Sequence, residues 1–167
     1  MNETKEKNVK NVLIISSEGV PFAKSGGLGD VIGALPKELK AQGVNVRVIL
    51  PLYKTVKVTY GDQLKFIESY AVGLSWRMEH CGLFETEYEG VTFYFIDNEY
   101  YFKRDTFYGH YDDGERFAFF SRAVLEILPY IDFKPDIINC NDWQTALVPV
   151  YYSLFYGMRE GFQNIKT

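Results

Sequence analysis

Val12-Leu13-Ile14-Ile15 is an unbroken apolar run, the pattern of a parallel strand buried on both faces. From Asp30 to Gln42, Val31, Ile32, Ala34, Leu35 and Leu39 recur at helical spacing among Lys37, Glu38 and Lys40, and Gly43 supplies a C-terminal stop. Pro36 interrupts that helix and predicts a kink. Val44 to Leu50 is a second apolar strand, which completes a βαβ unit. A right-handed crossover places the first loop at the C-terminal edge of the sheet, where open α/β sheets bind their ligands.

Between Tyr60 and Asp97 the pattern changes to Thr, Tyr, Phe and Val segments punctuated by Gly61, Gly73, Gly82 and Gly90, predicting several short, mostly antiparallel strands. Tyr100 to Gly114 reads as loop. A helix is expected from about Asp113 to Tyr130, with Phe117, Phe120, Ala123, Val124 and Ile127 on its buried side. Ile137-Ile138-Asn139-Cys140 is a third parallel strand. Asn141-Asp142-Trp143 follows as a strand-to-helix junction, and Leu147, Val150, Tyr151, Leu154 and Phe155 mark a helix ending near Gly157. Asn164 to Thr167 reads as the start of another strand, so the chain is expected to be a fragment of a longer protein. The fold class is α/β: a Rossmann-like, doubly wound, mostly parallel sheet with an additional antiparallel strand region.

Composition narrows the function. A chain of 167 residues has room for one domain with a substantial core. Its net charge of -4 argues against a nucleic-acid-binding surface, which needs a clustered basic excess. Met1 to Lys10 is polar and mixed in charge, and no apolar run is long enough to span a bilayer. Cys81 and Cys140 lack metal-type spacing and read as reduced packing residues, consistent with the cytoplasm. His80 and His110 fit no paired metal motif, so no metal site is expected.

The chemistry is concentrated in Ser17-Glu18-Gly19-Val20-Pro21-Phe22-Ala23-Lys24-Ser25-Gly26-Gly27-Leu28-Gly29-Asp30-Val31, between the first strand and the first helix. A helix start carries unpaired N–H groups and the positive end of the dipole, and a lysine beside three glycines adds charge and close backbone approach. The same glycines also suit a plain turn. Walker A is excluded, because Glu18 and Ala23 stand where it needs glycine. The dinucleotide fingerprint is disfavoured, because the glycines run G-G-x-G and no acid follows the second strand at Ile49-Leu50-Pro51-Leu52-Tyr53-Lys54. A phosphate held by loop and helix stays open.

The later strand delivers Asn141-Asp142 to the same sheet edge. Asp142 and Asp30 can accept from sugar hydroxyls at two oxygens each, or can cap the helices they precede. Tyr108 lies in a stretch dense in aromatic residues and offers a flat apolar face with a hydroxyl, suited to a saccharide ring or to the core.

Lys24-Ser25-Gly26-Gly27-Leu28-Gly29-Asp30-Val31 resembles the K-[TS]-G-G-L-[AG]-D-V signature of the bacterial glycogen synthase and plant starch synthase family. Ser17-Glu18, Gly33-Ala34-Leu35-Pro36, Leu50-Pro51, Tyr108-Gly109, Asp112 to Phe117 and Pro135 to Gln144 match further blocks in order. The resemblance implies a two-domain GT-B glycosyltransferase that moves glucose from a nucleotide sugar, usually ADP-glucose rather than UDP-glucose, to an α-1,4-glucan with retention and without a metal or other cofactor. On that resemblance residues 1–167 are a truncated N-terminal, acceptor-side domain, and the C-terminal nucleotide-sugar domain is absent. Lys24 matches the lysine at the donor phosphates, and Gly26 and Gly27 admit the donor close to backbone. Asp30 and Asp142 are the candidate catalytic residues, with Tyr108 and Asn141 as further sugar-binding positions. Asn139, Asn141 and Gln144 stand where many members carry histidines. The competing expectation is a non-catalytic carbohydrate-binding or regulatory module that shares the half-fold.

Overall fold

A computed structural model describes residues 10–167, so the reading of the first nine residues lies outside the described part. One six-stranded sheet organises the chain. Strands β1 (Asn11–Ile15) and β2 (Asn45–Pro51) flank helix α1 (Gly27–Ala41), which begins three residues earlier than its apolar spacing indicates. Helix α2 (Lys54–Tyr60) leads to a long hairpin, β3 (Lys65–Leu74) and β4 (Arg77–Tyr88), and then to β5 (Val91–Asp97). Helices α3 (Glu99–Phe102) and α4 (Asp113–Glu126) precede β6 (Ile137–Cys140) and a last helical segment that contains α5 (Leu147–Tyr151).

The strand order is β3-β4-β5-β2-β1-β6. β5, β2, β1 and β6 are mutually parallel, with Val12 facing both Val46 and Ile137. β3 and β4 add an antiparallel ribbon to β5. Leu13, Ile14, Ile15, Val48, Ile49, Leu50 and Phe95 are completely buried, as strands covered on both faces require. From β1 the chain moves to β2 on one side and returns to the other side of β1 at β6. The carboxyl ends of β1 and β6 therefore flank the point where the strand order reverses, the place where open α/β sheets form their binding crevice.

Four segments differ from their sequence reading. The antiparallel strands are long rather than short, at 10 and 12 residues, and β5 is a fourth parallel strand. Its Phe93-Tyr94-Phe95-Ile96 is buried on both faces and forms an apolar run like that of β1, which is what places it inside the sheet. Residues 100–114 are not all loop, because Asn98 Oδ1 accepts from the Tyr101 amide and starts α3. The helix from Asp113 stops at Glu126, and Pro129 lies within the 3-10 turn Leu128–Tyr130 that follows. After Asp142 the chain forms a 3-10 turn, the short α5 and a π-turn, Tyr152–Tyr156, instead of one regular helix. At the C-terminus Lys166 makes a parallel bridge to Ile137.

Candidate functional site at the carboxyl ends of β1 and β6

The loop after β1 is pinned before it reaches the helix. Ser16 N–H donates to Ile49 O across to β2, and Gly19 and Ala23 bridge to close a tight turn. Two glycines let this turn lie on α1: a Cβ on Gly19 would meet Ile32 Cγ2 at 2.9 Å, and one on Gly33 would meet Val20 Cβ at 2.9 Å. Gly26 and Gly27 differ, because a Cβ at either would meet nothing within 4 Å. Gly26 also has extended backbone, with φ of -150°, which any residue adopts. Neither packing nor backbone angle therefore explains these two glycines, and the space before them is open.

Glu18, only 3% exposed, organises this loop. Its Oε2 accepts from the Ser25 and Gly26 amides at 2.6 and 3.1 Å, and its Oε1 accepts from Ser25 Oγ at 2.7 Å. Burial pushes the Glu18 carboxyl upward, but these bonds and one from Tyr108 outweigh it and hold the group below its ordinary value. The two amides just before α1 are thus already bound to an internal anion. Lys24 Nζ points out of the loop and meets Asp30 Oδ1 at 2.6 Å, both side chains more than half exposed. Asp30 makes no cap, since the N-cap of α1 is Gly26 with no side-chain bond.

At the end of β6, Asn141 ties the seam between the strands. Its amide N–H and its Nδ2 both donate to Ile15 O at 3.1 Å, and Nδ2 also reaches Asn139 Oδ1 at 2.8 Å. Asp142 follows with φ of +64° and ψ of 179°, a region that is essentially reserved for glycine. The strain is held partly by a local cap, Trp143 N–H to Asp142 Oδ1 at 2.7 Å. Residues held in such regions cluster at active sites and ligand clamps. Gln144, next in the chain, is buried with Oε1 unpartnered.

Tyr108 joins the two strand ends. Its hydroxyl lies 2.8 Å from Glu18 Oε1 and 2.7 Å from Ser17 Oγ, and its ring is 6.4 Å from that of Trp143. Burial, together with the neighbouring Glu18 carboxylate, pushes its phenol well above the usual range. The stretch that carries Tyr108 is built rigidly. Arg116, completely buried, donates to Tyr101 O at 2.7 Å, Phe107 O at 3.0 Å and Asp113 Oδ1 at 2.5 Å. Arg104 grips Asp112 through two bonds of 2.6 Å. Asp113 Oδ2 accepts from the Gly109 amide at 2.8 Å.

Lys24, Gly26, Gly27 and Asp30 therefore belong to the β1 wall, Asn141 and Asp142 to the β6 wall, and Tyr108 lies between them. Sequence reasoning assigned no role to Ser17, Glu18 or Trp143. Trp143 is half exposed and packs edge-on to Phe117 at 5.1 Å, presenting an aromatic surface beside Asp142. An acid shared by amides seven and eight residues away and a tyrosine ninety residues away leaves no local sequence signal. The two cysteines stand apart from this site; burial lifts the Cys81 thiol to about 12 and the Cys140 thiol to about 11. Among the described residues no helix is long and apolar enough to cross a membrane.

Comparison with known proteins identifies the family of this fold. The family described as starch synthase catalytic domain matches residues 11–167. The glycogen synthase of Clostridium botulinum is 54% identical over 151 residues, covering 90% of this chain and 32% of that protein. The glycogen synthase of Alkaliphilus metalliredigens is 54% identical over 156 residues, covering 93% and 33%. The catalytic domain of starch synthase IV from Arabidopsis thaliana, solved bound to ADP and acarbose, matches with a TM-score of 0.80 and 34% identity over 94% of this chain and 32% of that one. The chain spans about a third of the length of these relatives. With the family matched from the first residue of β1 to Thr167, this chain belongs to the starch synthase catalytic domain family.

Proposed function

We propose that this chain is the N-terminal, acceptor-side part of a cytoplasmic retaining glucosyltransferase that moves glucose from ADP-glucose to the non-reducing end of an α-1,4-glucan. The observation that carries the reading is the convergence of the lysine-glycine loop, Tyr108 and the strained Asp142 at the β1/β6 switch point. It occurs in a backbone that matches a starch synthase bound to ADP and acarbose.

In this reading Lys24 leaves Asp30 to meet the donor diphosphate. Negative charge develops on the leaving phosphate as the glucosyl bond breaks, and a fixed cation stabilises it. The open space before Gly26 and Gly27 lets that diphosphate approach the backbone. Asp30, Asp142 and Tyr108 meet sugar hydroxyls, and Asn141 holds the seam that fixes Asp142 in place. A second α/β domain of the full-length protein supplies the opposite wall.

The test is transfer from ADP-glucose and from UDP-glucose to glycogen by the full-length protein. The expected result is transfer with a higher kcat/KM for ADP-glucose, and no turnover by residues 1–167 alone. Glycogen binding without transfer from either donor would favour a non-catalytic carbohydrate module.

A further inference from the structure

We infer that Glu18 is a positioning residue that locks the two walls of the site into one geometry. Its four bonds divide between two segments that share no other carboxylate among the described residues. Three come from the lysine loop, through the Ser25 amide, Ser25 Oγ and the Gly26 amide. The fourth comes from Tyr108, ninety residues away, which also contacts Ser17.

All four partners can donate at once only to an ionised carboxylate. The charge fixes the hydrogen directions: Tyr108 donates to Glu18, so the Ser17 hydroxyl donates to Tyr108. The oxygen of Tyr108 that faces a ligand is then a hydrogen-bond acceptor with its own proton turned inward. The same carboxylate holds the chain immediately after Lys24, and so sets where the lysine leaves the loop. Burial of the group, at 3% exposure, keeps these bonds out of competition with water.

The glucan synthase reading supplies the ligand for this inference, and the test separates the two. Wild-type full-length protein is first assayed for transfer from ADP-glucose; absence of transfer removes both. Glu18→Gln then keeps the shape. Its single oxygen can still accept from the two amides, while its Nε2 forces the Tyr108 hydroxyl to accept and to turn its proton toward Ser17. We expect kcat/KM to fall about tenfold, the worth of one charge-assisted hydrogen bond. In a double-mutant cycle with Tyr108→Phe, the double variant should lose clearly less than the product of the two single losses, with the loss beyond Tyr108→Phe alone limited to about the threefold expected of the Ser25 bond. Losses that multiply, or wild-type kinetics for Glu18→Gln, overturn the inference while leaving the glucan synthase reading intact.

Ser25→Ala guards against a Glu18→Gln chain that does not fold. It deletes one loop bond, keeps the carboxylate and is expected to cost about threefold in kcat/KM for ADP-glucose, a partial loss of one hydrogen bond. Wild-type kinetics for both Ser25→Ala and Glu18→Gln show that the lysine loop is not positioned through this carboxylate and overturn the inference.

Discussion

Lys24 Nζ and Asp30 Oδ1 stand 2.6 Å apart across the mouth of the lysine loop, with side chains 52% and 61% exposed. Exposed pairs of this kind contribute little to folding. Lys24→Ala should therefore melt at the wild-type temperature while kcat/KM for ADP-glucose falls about a hundredfold, the scale of one lost transition-state donor. Thermal denaturation and steady-state kinetics of the full-length protein check both halves.

The glycines of the loop and of α1 separate into two classes. A Cβ at Gly33 would lie 2.9 Å from Val20 Cβ, whereas one at Gly26 would meet nothing. Gly33→Ala should destabilise by about 1–3 kcal/mol, as overpacking does. Gly26→Ala should leave stability unchanged and raise the KM for ADP-glucose at least about tenfold, because the methyl group enters the space assigned to the diphosphate. Equal effects on stability would show that both glycines serve packing.

How much of this was legible in the sequence depends on the range of the interaction. The unbroken run of β1, the amphipathic spacing of α1 and the buried face of α4 are local patterns, and the structure follows them. β5 has the same unbroken pattern, but its place beside β2 is hidden by a preceding hairpin that pairs with its other edge. Helix α2, Lys-Thr-Val-Lys-Val-Thr-Tyr, is rich in β-branched residues of low helix propensity and buries only Val56. At the site, the lysine-glycine loop and Asn141-Asp142 were visible as residue types. The positive φ of Asp142 and the reach of Glu18 to Tyr108 arise only when β1 and β6 become neighbours.

Arg116 tests whether the Tyr108 segment is held from beneath. Its guanidinium is completely buried and serves two carbonyls and Asp113. Arg116→Met should destabilise by about 2–4 kcal/mol, because the Tyr101 and Phe107 carbonyls lose this donor and the Asp113 bond is lost with them. Urea denaturation measures the loss, and proteolysis within residues 103–112 should become faster at the same time.

Glu18 also gives the fold a pH signature. Its carboxyl is held below the ordinary value of 4.5 in the folded chain, so its contribution is complete above that value. It is lost as pH falls through the lower folded value. Stability of the wild type should therefore decline below about pH 4.5, and Glu18→Gln should be less stable at pH 7 yet show a shallower acid decline. Denaturant midpoints measured from pH 3 to 7 compare the two.

A crystal structure of the full-length protein with ADP and a malto-oligosaccharide bound tests the site most directly. The expected result is a phosphate oxygen of ADP within hydrogen-bond distance of Lys24 Nζ and against the Gly26-Gly27 backbone, with sugar hydroxyls at Tyr108 and Asp142. ADP bound elsewhere, with Lys24 still paired to Asp30 and the space before Gly26 empty, would contradict the assignment of this sheet edge as the donor site.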